Sequence, residues 1–107
     1  MDAFAGLDWD EGNLAKCQKH GVSIAEIEEL FRGQPYFVPD ERHSDVEPRM
    51  LAIGRTAGDR ALFVVITVRE RDGLRLARPV SARYMHRKEV EKYEAIWRSE
   101  GAQNDDG

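Results

Sequence analysis

Cysteine is almost absent from this sequence of 107 residues: Cys17 is the only one, so a disulfide bond within the chain is excluded. Long apolar segments are absent too. The longest, from Ala61 to Val68, is far shorter than the roughly 20 residues that a membrane-spanning helix requires. The N-terminal residues also lack the pattern of a signal peptide. We therefore expect a cytoplasmic protein without membrane contact, in which Cys17 is a core side chain and not a nucleophile.

Metal-binding patterns and internal repeats are missing as well. Three scattered histidines and one cysteine do not have the spacing of a zinc site, so we expect no metal ion and no other cofactor. The chain length fits one domain, because a single hydrophobic core typically serves about 100–150 residues. We predict a single domain over residues 1–100, followed by a disordered tail over residues 101–107.

The charged residues, 34% of the chain, are unevenly divided along it. Residues 1–48 hold four Lys or Arg against eleven Asp or Glu, whereas residues 49–107 hold twelve against nine. Most cations of the second part are arginines, whose guanidinium groups bind phosphate in a bidentate manner. This pattern fits a solvated sheet face, which is the commoner case, or a basic face for nucleic-acid phosphates.

Two helices are predicted in the N-terminal third of the chain. Asp8 as N-cap and Glu11 three residues later have capping-box spacing, which predicts a first helix over about residues 9–20. Gly21 is expected to end this helix in a left-handed conformation. Because the connection to the next helix is short, the two helices should pack their apolar faces on a common core.

The second helix has clearer boundaries. Ser23 and Glu26 form another capping-box pattern, and Gly33 is placed to end the helix before Pro35 prevents its continuation. The apolar side chains between them recur at helical spacing and predict one buried stripe, formed by Ile24, Ile27, Leu30 and Phe31.

The pattern changes to that of strands at residue 36. A short edge strand over residues 36–42, interrupted by Pro39, is followed by strands over residues 49–56 and 60–69. The second of these is almost continuously apolar in its middle, which predicts a central strand that is covered on both faces. The turn Arg71-Asp72-Gly73 then starts a fourth strand.

The fourth strand carries a cation close to the last predicted helix. Alternation assigns its side chains to opposite faces, with Leu74, Leu76, Val80, Ala82 and Tyr84 on one and Arg75, Ser81 and Arg83 on the other. Pro79 predicts a bulge or an edge position in this strand, because proline cannot donate a ladder hydrogen bond.

A last helix is predicted to begin near His86, with Glu89 at the capping-box position. Its buried stripe would consist of Val90, Tyr93, Ile96 and Trp97. Because helices and strands are segregated along the chain, the predicted class is α+β, with two N-terminal helices, a four-stranded antiparallel sheet and a C-terminal helix.

Short motifs follow one another in a recognisable order: Trp9-Asp10-Glu11, Asn13, Lys19-His20-Gly21-Val22, Leu30-Phe31, Glu47, Arg49, Gly54, Ser81-Ala82-Arg83, Glu89 and Tyr93. Together they span about residues 7–94, and their order and spacing resemble the BrnT toxin family of type II toxin–antitoxin systems. The resemblance implies a RelE-like fold, a ribonuclease that inhibits translation, and neutralisation by a ribbon-helix-helix antitoxin that also binds operator DNA.

RNA cleavage without a metal requires a base for the ribose 2′-OH, cations for the charge on phosphorus, and an acid for the leaving oxygen. Arg83 is the first candidate for charge stabilisation, because it lies opposite the packed side of its strand and just before a helix. An ion pair with a carboxylate of the acidic first half explains it equally well. Arg49 is the second candidate, since it matches the resemblance.

His20 and Glu47 are the candidate general bases. Histidine side chains exchange protons near neutral pH, which suits His20 for this role, although a histidine at a helix C-terminus can simply stabilise the helix. Glu47 could equally form a local ion pair with Arg49.

Four further residues are candidates for binding RNA: Lys19, Arg55, His86 and Arg87. Arg55 is also explained as a solvated strand end. His86, at a helix N-terminus that favours neutral imidazole, could alternatively act as the base.

Two other functions are open on the sequence alone. A non-catalytic module that only docks a partner is supported by the acidic first half, which would complement a basic antitoxin segment. Direct DNA binding is disfavoured, because the first two helices are acidic and carry no pattern of base-reading residues. Operator DNA is therefore expected to be bound only through the antitoxin.

Overall fold

The computed structural model describes residues 4–33, 35–39 and 49–95, where helices pack on a mixed sheet. The elements are, in chain order, β1 (Gly6–Leu7), α1 (Glu11–Cys17), α2 (Ile24–Arg32), β2 (Tyr36–Pro39), β3 (Arg49–Arg55), β4 (Ala61–Arg71), β5 (Leu74–Tyr84) and α3 (residues 87–95). The predicted tail, residues 40–48 with Glu47, and the stripe residues Ile96 and Trp97 lie outside the described residues.

The α+β class is confirmed, but the prediction of a four-stranded antiparallel sheet was wrong. Within the described residues the sheet has five strands in the order β1-β5-β4-β3-β2, and β1 runs parallel to β5. The other neighbours are antiparallel. Two backbone hydrogen bonds hold β1 in place, from Ala5 N to Arg75 O at 2.7 Å and from Asp8 N to Ala77 O at 2.9 Å. A two-residue strand is too short to show an alternating pattern, so no periodicity indicated it.

Helix α1 starts later and is shorter than predicted. Its N-cap is Asp10, not Asp8, and its capping-box partner is Asn13, not a glutamate. Asn13 Oδ1 accepts a hydrogen bond from Asp10 N at 2.7 Å, and Asp10 Oδ1 accepts one from Asn13 N at 3.1 Å. Asp8 is instead buried beside β1, and its carboxylate forms an ion pair with Arg71 at 3.3 Å.

Asn13 also ties α1 to the sheet. Its side chain is buried, and its Nδ2 group donates hydrogen bonds to Asp8 O and to Pro79 O, both at 2.8 Å. A buried carbonyl group without a hydrogen-bond donor destabilises the fold. The Asn13 side chain donates to the carbonyl groups of Asp8 after β1 and of Pro79 in β5, and it also caps the first turn of α1.

The predicted boundaries of α2 are confirmed. Ser23 is the N-cap in a reciprocal capping box with Glu26, and Gly33 is the C-cap. Gly21 has the predicted left-handed conformation, with φ of 88°. Glu26 also accepts a hydrogen bond from the Tyr84 hydroxyl at 2.7 Å, which connects the start of α2 to the end of β5.

The core lies between α1, α2 and one face of the sheet. It contains Phe4, Cys17, Val22, Ile27, Leu30, Phe31, Ala52, Leu62, Val64, Ile66, Ala77 and Ala82. Cys17 is fully buried, and this burial raises the pKa of its thiol to about 11, as suits a core side chain. Helix α2 approaches β3 closely at Gly54: a Cβ atom there would lie 2.7 Å from Leu30 Cδ1, so the buried Leu30 side chain would have to shift.

The predicted bulge near Pro79 is present and corrects the predicted alternation of β5. Ser81 pairs with Val65 and Pro79 pairs with Ile66, so Val80 is the extra residue. Leu74 is therefore not on the core side and is 54% exposed. Beyond the bulge, Ala82 faces the core, while Ser81 and Arg83 point to the other face of the sheet, as predicted.

That second face is partly covered by α3. The Phe63 ring of β4 and the Tyr93 ring of α3 meet edge to face, with centroids 5.3 Å apart. The helix begins directly after His86, whose backbone N–H donates to Glu89 Oε1 at 2.8 Å, so the predicted start is confirmed. The sheet is thus enclosed by α1 and α2 on one side and α3 on the other.

Replacing Asn13 with alanine should lower the free energy of unfolding by about 2–4 kcal/mol, because two carbonyl groups lose their donor and α1 loses its capping box. The matched control is Ser23→Ala in the exposed capping box of α2, which should cost about 1 kcal/mol. Urea unfolding followed by circular dichroism measures both values. A loss for Asn13→Ala no larger than that for Ser23→Ala would contradict the proposed link between α1 and the sheet.

Candidate active site

A cleft of about 300 Å³ lies on the face of the sheet that α3 partly covers. Its walls are formed by β3, β4, β5, α3 and the turn that follows α1. The residues that line it are His20, Arg49, Leu51, Phe63, Val65, Ser81, Ala82, Arg83, Glu89 and Tyr93. The strand residues of this set largely alternate with core residues, as expected for opposite faces of one sheet.

Three of the four predicted catalytic residues therefore meet at one cleft: Arg83, Arg49 and His20. Glu47, the fourth, lies outside the described residues. Strand β4 lies between β3 and β5, and Arg49 is level with Thr67 of β4 whereas Arg83 is level with Phe63, so the two arginines are separated both across the sheet and along the strands. Phe63 and Val65 of β4 form the apolar floor between them.

Arg83 is held by a carboxylate of α3. Its Nη1 and Nη2 atoms donate to Glu89 Oε1 and Oε2 at 2.9 and 2.8 Å, and Nη1 also donates to Tyr84 O at 3.3 Å. The guanidinium carbon lies 4.5 Å from the centroid of the Phe63 ring. The alternative explanation of Arg83 from the sequence was an ion pair with a carboxylate of the acidic first half. The structure has an ion pair at Arg83, but the carboxylate belongs to Glu89 of α3.

This pair keeps both groups charged. The hydrogen bonds from Arg83 lower the pKa of Glu89 to about 2, and those to Glu89 raise the pKa of Arg83. The side chains remain partly accessible, with 44% of Arg83 and 28% of Glu89 exposed. Arg83 therefore lies in the cleft as a fixed cation whose charge is largely balanced by its neighbour.

Arg49 differs from Arg83 in having no such partner. It is half-buried in the cleft wall, and its Nε atom is buried without a hydrogen-bond partner. Among the described residues, no carboxylate forms an ion pair with it. Thr67, which pairs with Arg49 across β3 and β4, also has a buried hydroxyl without a partner. Thr67 does not line the cleft, whereas Arg49 does, and a guanidinium without a partner there is a group that an anionic ligand could satisfy.

His20 lies at the rim of the cleft. It follows α1 in the turn that Gly21 closes, and it is exposed. His20 is thus an exposed imidazole that lines the same cleft as the two guanidinium groups.

None of the four predicted RNA-binding residues lines the cleft. Arg55, on the same face as Arg49, pairs with Glu94 of α3 and donates to Asp59 O at 3.0 Å. Arg87 is 94% exposed, with Glu91 at 3.6 Å, and Lys19 and His86 are exposed as well. Arg55 instead lines a separate surface hollow together with Arg32 and Thr56.

Sequence reasoning did not select Ser81, Glu89 and Tyr93 as site residues. Glu89 was explained by its capping-box position and Tyr93 by its helical stripe, and both explanations are also true. Ser81 shares the face of Arg83, which was the available signal. An ionised group that serves both a helix cap and a site is difficult to detect by spacing alone.

Two other kinds of site are not found within the described residues. No group of three or more His, Cys, Asp or Glu residues there could hold a metal ion. The helices within the described ranges are also too short or too polar to span a membrane.

The Arg83–Glu89 pair should stabilise the fold in a pH-dependent way. Glu89 has a pKa of about 2 in the folded state against an ordinary 4.5, so the stabilisation is complete above about pH 4.5 and is lost as the pH falls toward 2. The difference in free energy of unfolding between the wild type and Glu89→Gln should shrink over that window, as measured by urea unfolding at each pH.

The pKa of Asp10 is also lowered to about 2, by its hydrogen bond with Arg78. Because the wild type and Glu89→Gln both contain Asp10, its contribution cancels in the difference between their free energies of unfolding. The control is Glu91→Gln on the exposed side of α3, which should change stability at pH 7 by no more than about 0.5 kcal/mol. A wild-type advantage over Glu89→Gln that stays constant down to pH 2 would show that Glu89 does not titrate as an ion-pair partner.

Comparison with known proteins shows which family the chain belongs to. No curated protein matches this chain. The model of a family described as "Ribonuclease toxin, BrnT, of type II toxin-antitoxin system" matches residues 9–89. This range includes α1, every strand except β1, and the cleft residues His20, Arg49, Arg83 and Glu89. The chain therefore belongs to the BrnT family of ribonuclease toxins.

Proposed function

We propose that the protein is a cytoplasmic endoribonuclease that inhibits translation, and that the cleft between β3, β5 and α3 is its active site. Membership of the family implies an RNA target and an antitoxin partner. The observation that carries the location is Arg49: a half-buried guanidinium without an ion-pair partner among the described residues, on one cleft with Arg83 and His20. A phosphate group is the anion that these donors fit best.

Cleavage would proceed by attack of the ribose 2′ oxygen on the adjacent phosphorus. A base removes the 2′-OH proton, the bond to the 5′ oxygen breaks, and an acid returns a proton to that oxygen. The products are a 2′,3′-cyclic phosphate and a 5′-hydroxyl end. Negative charge grows on the phosphate oxygens during attack, and fixed cations in a low-dielectric site stabilise it.

Arg49 is assigned the main part of this stabilisation. Its charge is not balanced by a described carboxylate, so its full interaction is available to the phosphate. Arg83 contributes a second set of donors from the opposite wall. The apolar floor of Phe63 and Val65 lowers the local dielectric and strengthens both interactions.

His20 is assigned to proton transfer. It is the one imidazole among the residues that line the cleft, and its position at the rim lets it reach a ribose while the phosphate lies deeper. Glu47 remains the alternative base on the grounds of the sequence. Glu89 is a poor candidate, because a carboxylate with a pKa of about 2 is a weak base.

The proposal includes metal independence, a RelE-like fold and one domain over residues 1–100. Guanidinium groups supply the positive charge in the cleft, and the described residues contain no cluster of metal ligands. Strands β2 to β5 are antiparallel to their neighbours, and helices lie on both faces of the sheet. This arrangement supports the RelE-like assignment. Lys19, Arg55, His86 and Arg87 are proposed to bind RNA phosphates around the cleft.

Arg49→Ala should reduce kcat for cleavage of a defined RNA by about 100-fold or more, because removal of one transition-state donor typically costs 10²–10³. Steady-state kinetics with product-end analysis for 2′,3′-cyclic phosphate gives this value. Arg75→Ala, on the exposed β4–β5 hairpin, is the matched control and should stay within about threefold of the wild type.

A chelator is added in a parallel series. Activity that persists in excess EDTA supports the metal-independent mechanism, whereas its loss and recovery with a divalent ion would refute it. A folded Arg49→Ala protein with wild-type kcat would exclude the cleft as the active site.

A non-catalytic module that only docks a partner is the second candidate function. The observation in its favour is that Arg83 and Arg55 already have carboxylate partners on α3. Purified wild-type protein that fails to cleave any of a panel of RNAs, while still binding its antitoxin, would establish this alternative.

The antitoxin is proposed to be a ribbon-helix-helix protein that alone carries operator binding. The acidic first half of the chain, which forms α1 and α2, is complementary to a basic segment of such a partner. Coexpression with the neighbouring reading frame should give a stable complex, and only that complex or the free antitoxin should shift operator DNA. Operator binding by the toxin alone at physiological salt would contradict this division of roles.

A further inference from the structure

We propose that Glu89 is a positioning residue, which holds the Arg83 guanidinium in the orientation that phosphate binding requires. This inference rests on the proposed function. It assigns to the Arg83–Glu89 pair a role in catalysis, although the pair could be regarded as a purely structural contact between β5 and α3.

The hydrogen bonds of Arg83 leave one defined edge of the guanidinium available. An arginine has five N–H groups: one on Nε and two on each Nη atom. The Glu89 carboxylate accepts a hydrogen bond from one N–H group of Nη1 and from one N–H group of Nη2, and Tyr84 O accepts a hydrogen bond from the second N–H group of Nη1. The Nε–H and the remaining Nη2–H make no hydrogen bond within the described residues. These two N–H groups lie side by side and point the same way, so they form the second bidentate edge for two phosphate oxygens.

The orientation of the group is fixed from three directions. The Phe63 ring lies against the face of the guanidinium, Tyr84 O holds Nη1, and Glu89 holds the end. Glu89 is itself fixed, because its Oε1 atom accepts the His86 N–H at the start of α3. An arginine without these contacts would lose rotamer freedom when it binds phosphate, and preorganisation avoids that cost.

Glu89 cannot act by attracting RNA. Its carboxylate is negative and lies in the cleft, so it opposes the binding of a polyanion. A role in orientation and a role in affinity therefore predict opposite changes. Removal of the charge should weaken the chemical step while substrate binding stays equal or becomes tighter.

The experiment measures kcat and KM for Glu89→Gln on a defined RNA, together with the dissociation constant of a 2′-deoxy analogue that cannot be cleaved. We expect kcat to fall about 10- to 100-fold, since small misplacements of a catalytic group have effects of this size. KM and the dissociation constant should not rise. Glu89→Asp, which keeps the charge, should recover part of the lost kcat.

Two further variants separate positioning from the attachment of α3. Glu94→Gln makes the same chemical change on the same helix and removes the ion pair with Arg55 instead. It should keep kcat within about threefold of the wild type. In an Arg83→Ala background, Glu89→Gln should have no further effect on kcat, because the residue it positions is gone.

Several outcomes would overturn the inference. An active Glu89→Gln protein with wild-type kcat ends it and leaves the proposed function intact, as does an equal loss in Glu94→Gln. A change in the shape of the pH–rate profile in Glu89→Gln would make Glu89 a proton-transfer group and not a positioning residue. A wild type that binds the deoxy analogue but cleaves no RNA overturns the proposed function itself, and with it this inference.

Discussion

A single extra residue in β5 determines which side chains face the core and which face the cleft. Ala77 and Pro79 are buried before the bulge, and Ala82 is buried after it. Uninterrupted alternation from Ala77 would instead turn Arg83 toward α1 and α2. A guanidinium group in that apolar core would be very costly, so the bulge at Val80 is the condition for both the packing of the helices and the composition of the cleft.

The cleft also depends on how the charges of α3 are distributed. Glu89 and Glu94 balance Arg83 and Arg55, and these two pairs, with the ring contact between Phe63 and Tyr93, attach α3 to the sheet. Arg49 is left as the cation of the cleft wall without a described carboxylate partner. The net charge of −4 of the whole chain is therefore a poor guide to RNA binding. Screening limits the range of exposed charges to about 10 Å, and α1 and α2 lie on the far side of the sheet.

The sequence predicted those features that have a local physical cause. The capping box of Ser23 and Glu26 and the left-handed Gly21 depend only on neighbouring residues, and both are confirmed. The start of α1 was wrong by two positions, because the choice between Asp8 and Asp10 is made by Asn13, whose amide bridges to Pro79 in a distant strand. Strand β1 exists through its pairing with β5, so no local pattern could reveal it. For the cleft, alternation and the resemblance identified Arg49, Arg83 and His20, but the contact between Arg83 and Glu89 depends on where α3 packs.

In the proposed active site an acidic residue beside the bound RNA is at first sight a contradiction, and the proposed positioning role of Glu89 removes it. A freely moving arginine would attract phosphate more strongly, but it would interact with the ground state and the transition state alike, which does not accelerate the reaction. An arginine fixed by a carboxylate, a carbonyl and an aromatic ring loses affinity and gains a defined direction. Electrostatic catalysis depends on donors that are already oriented when charge develops. If the cleft is the active site as proposed, α3 is part of it, because its first turn supplies the carboxylate that orients Arg83.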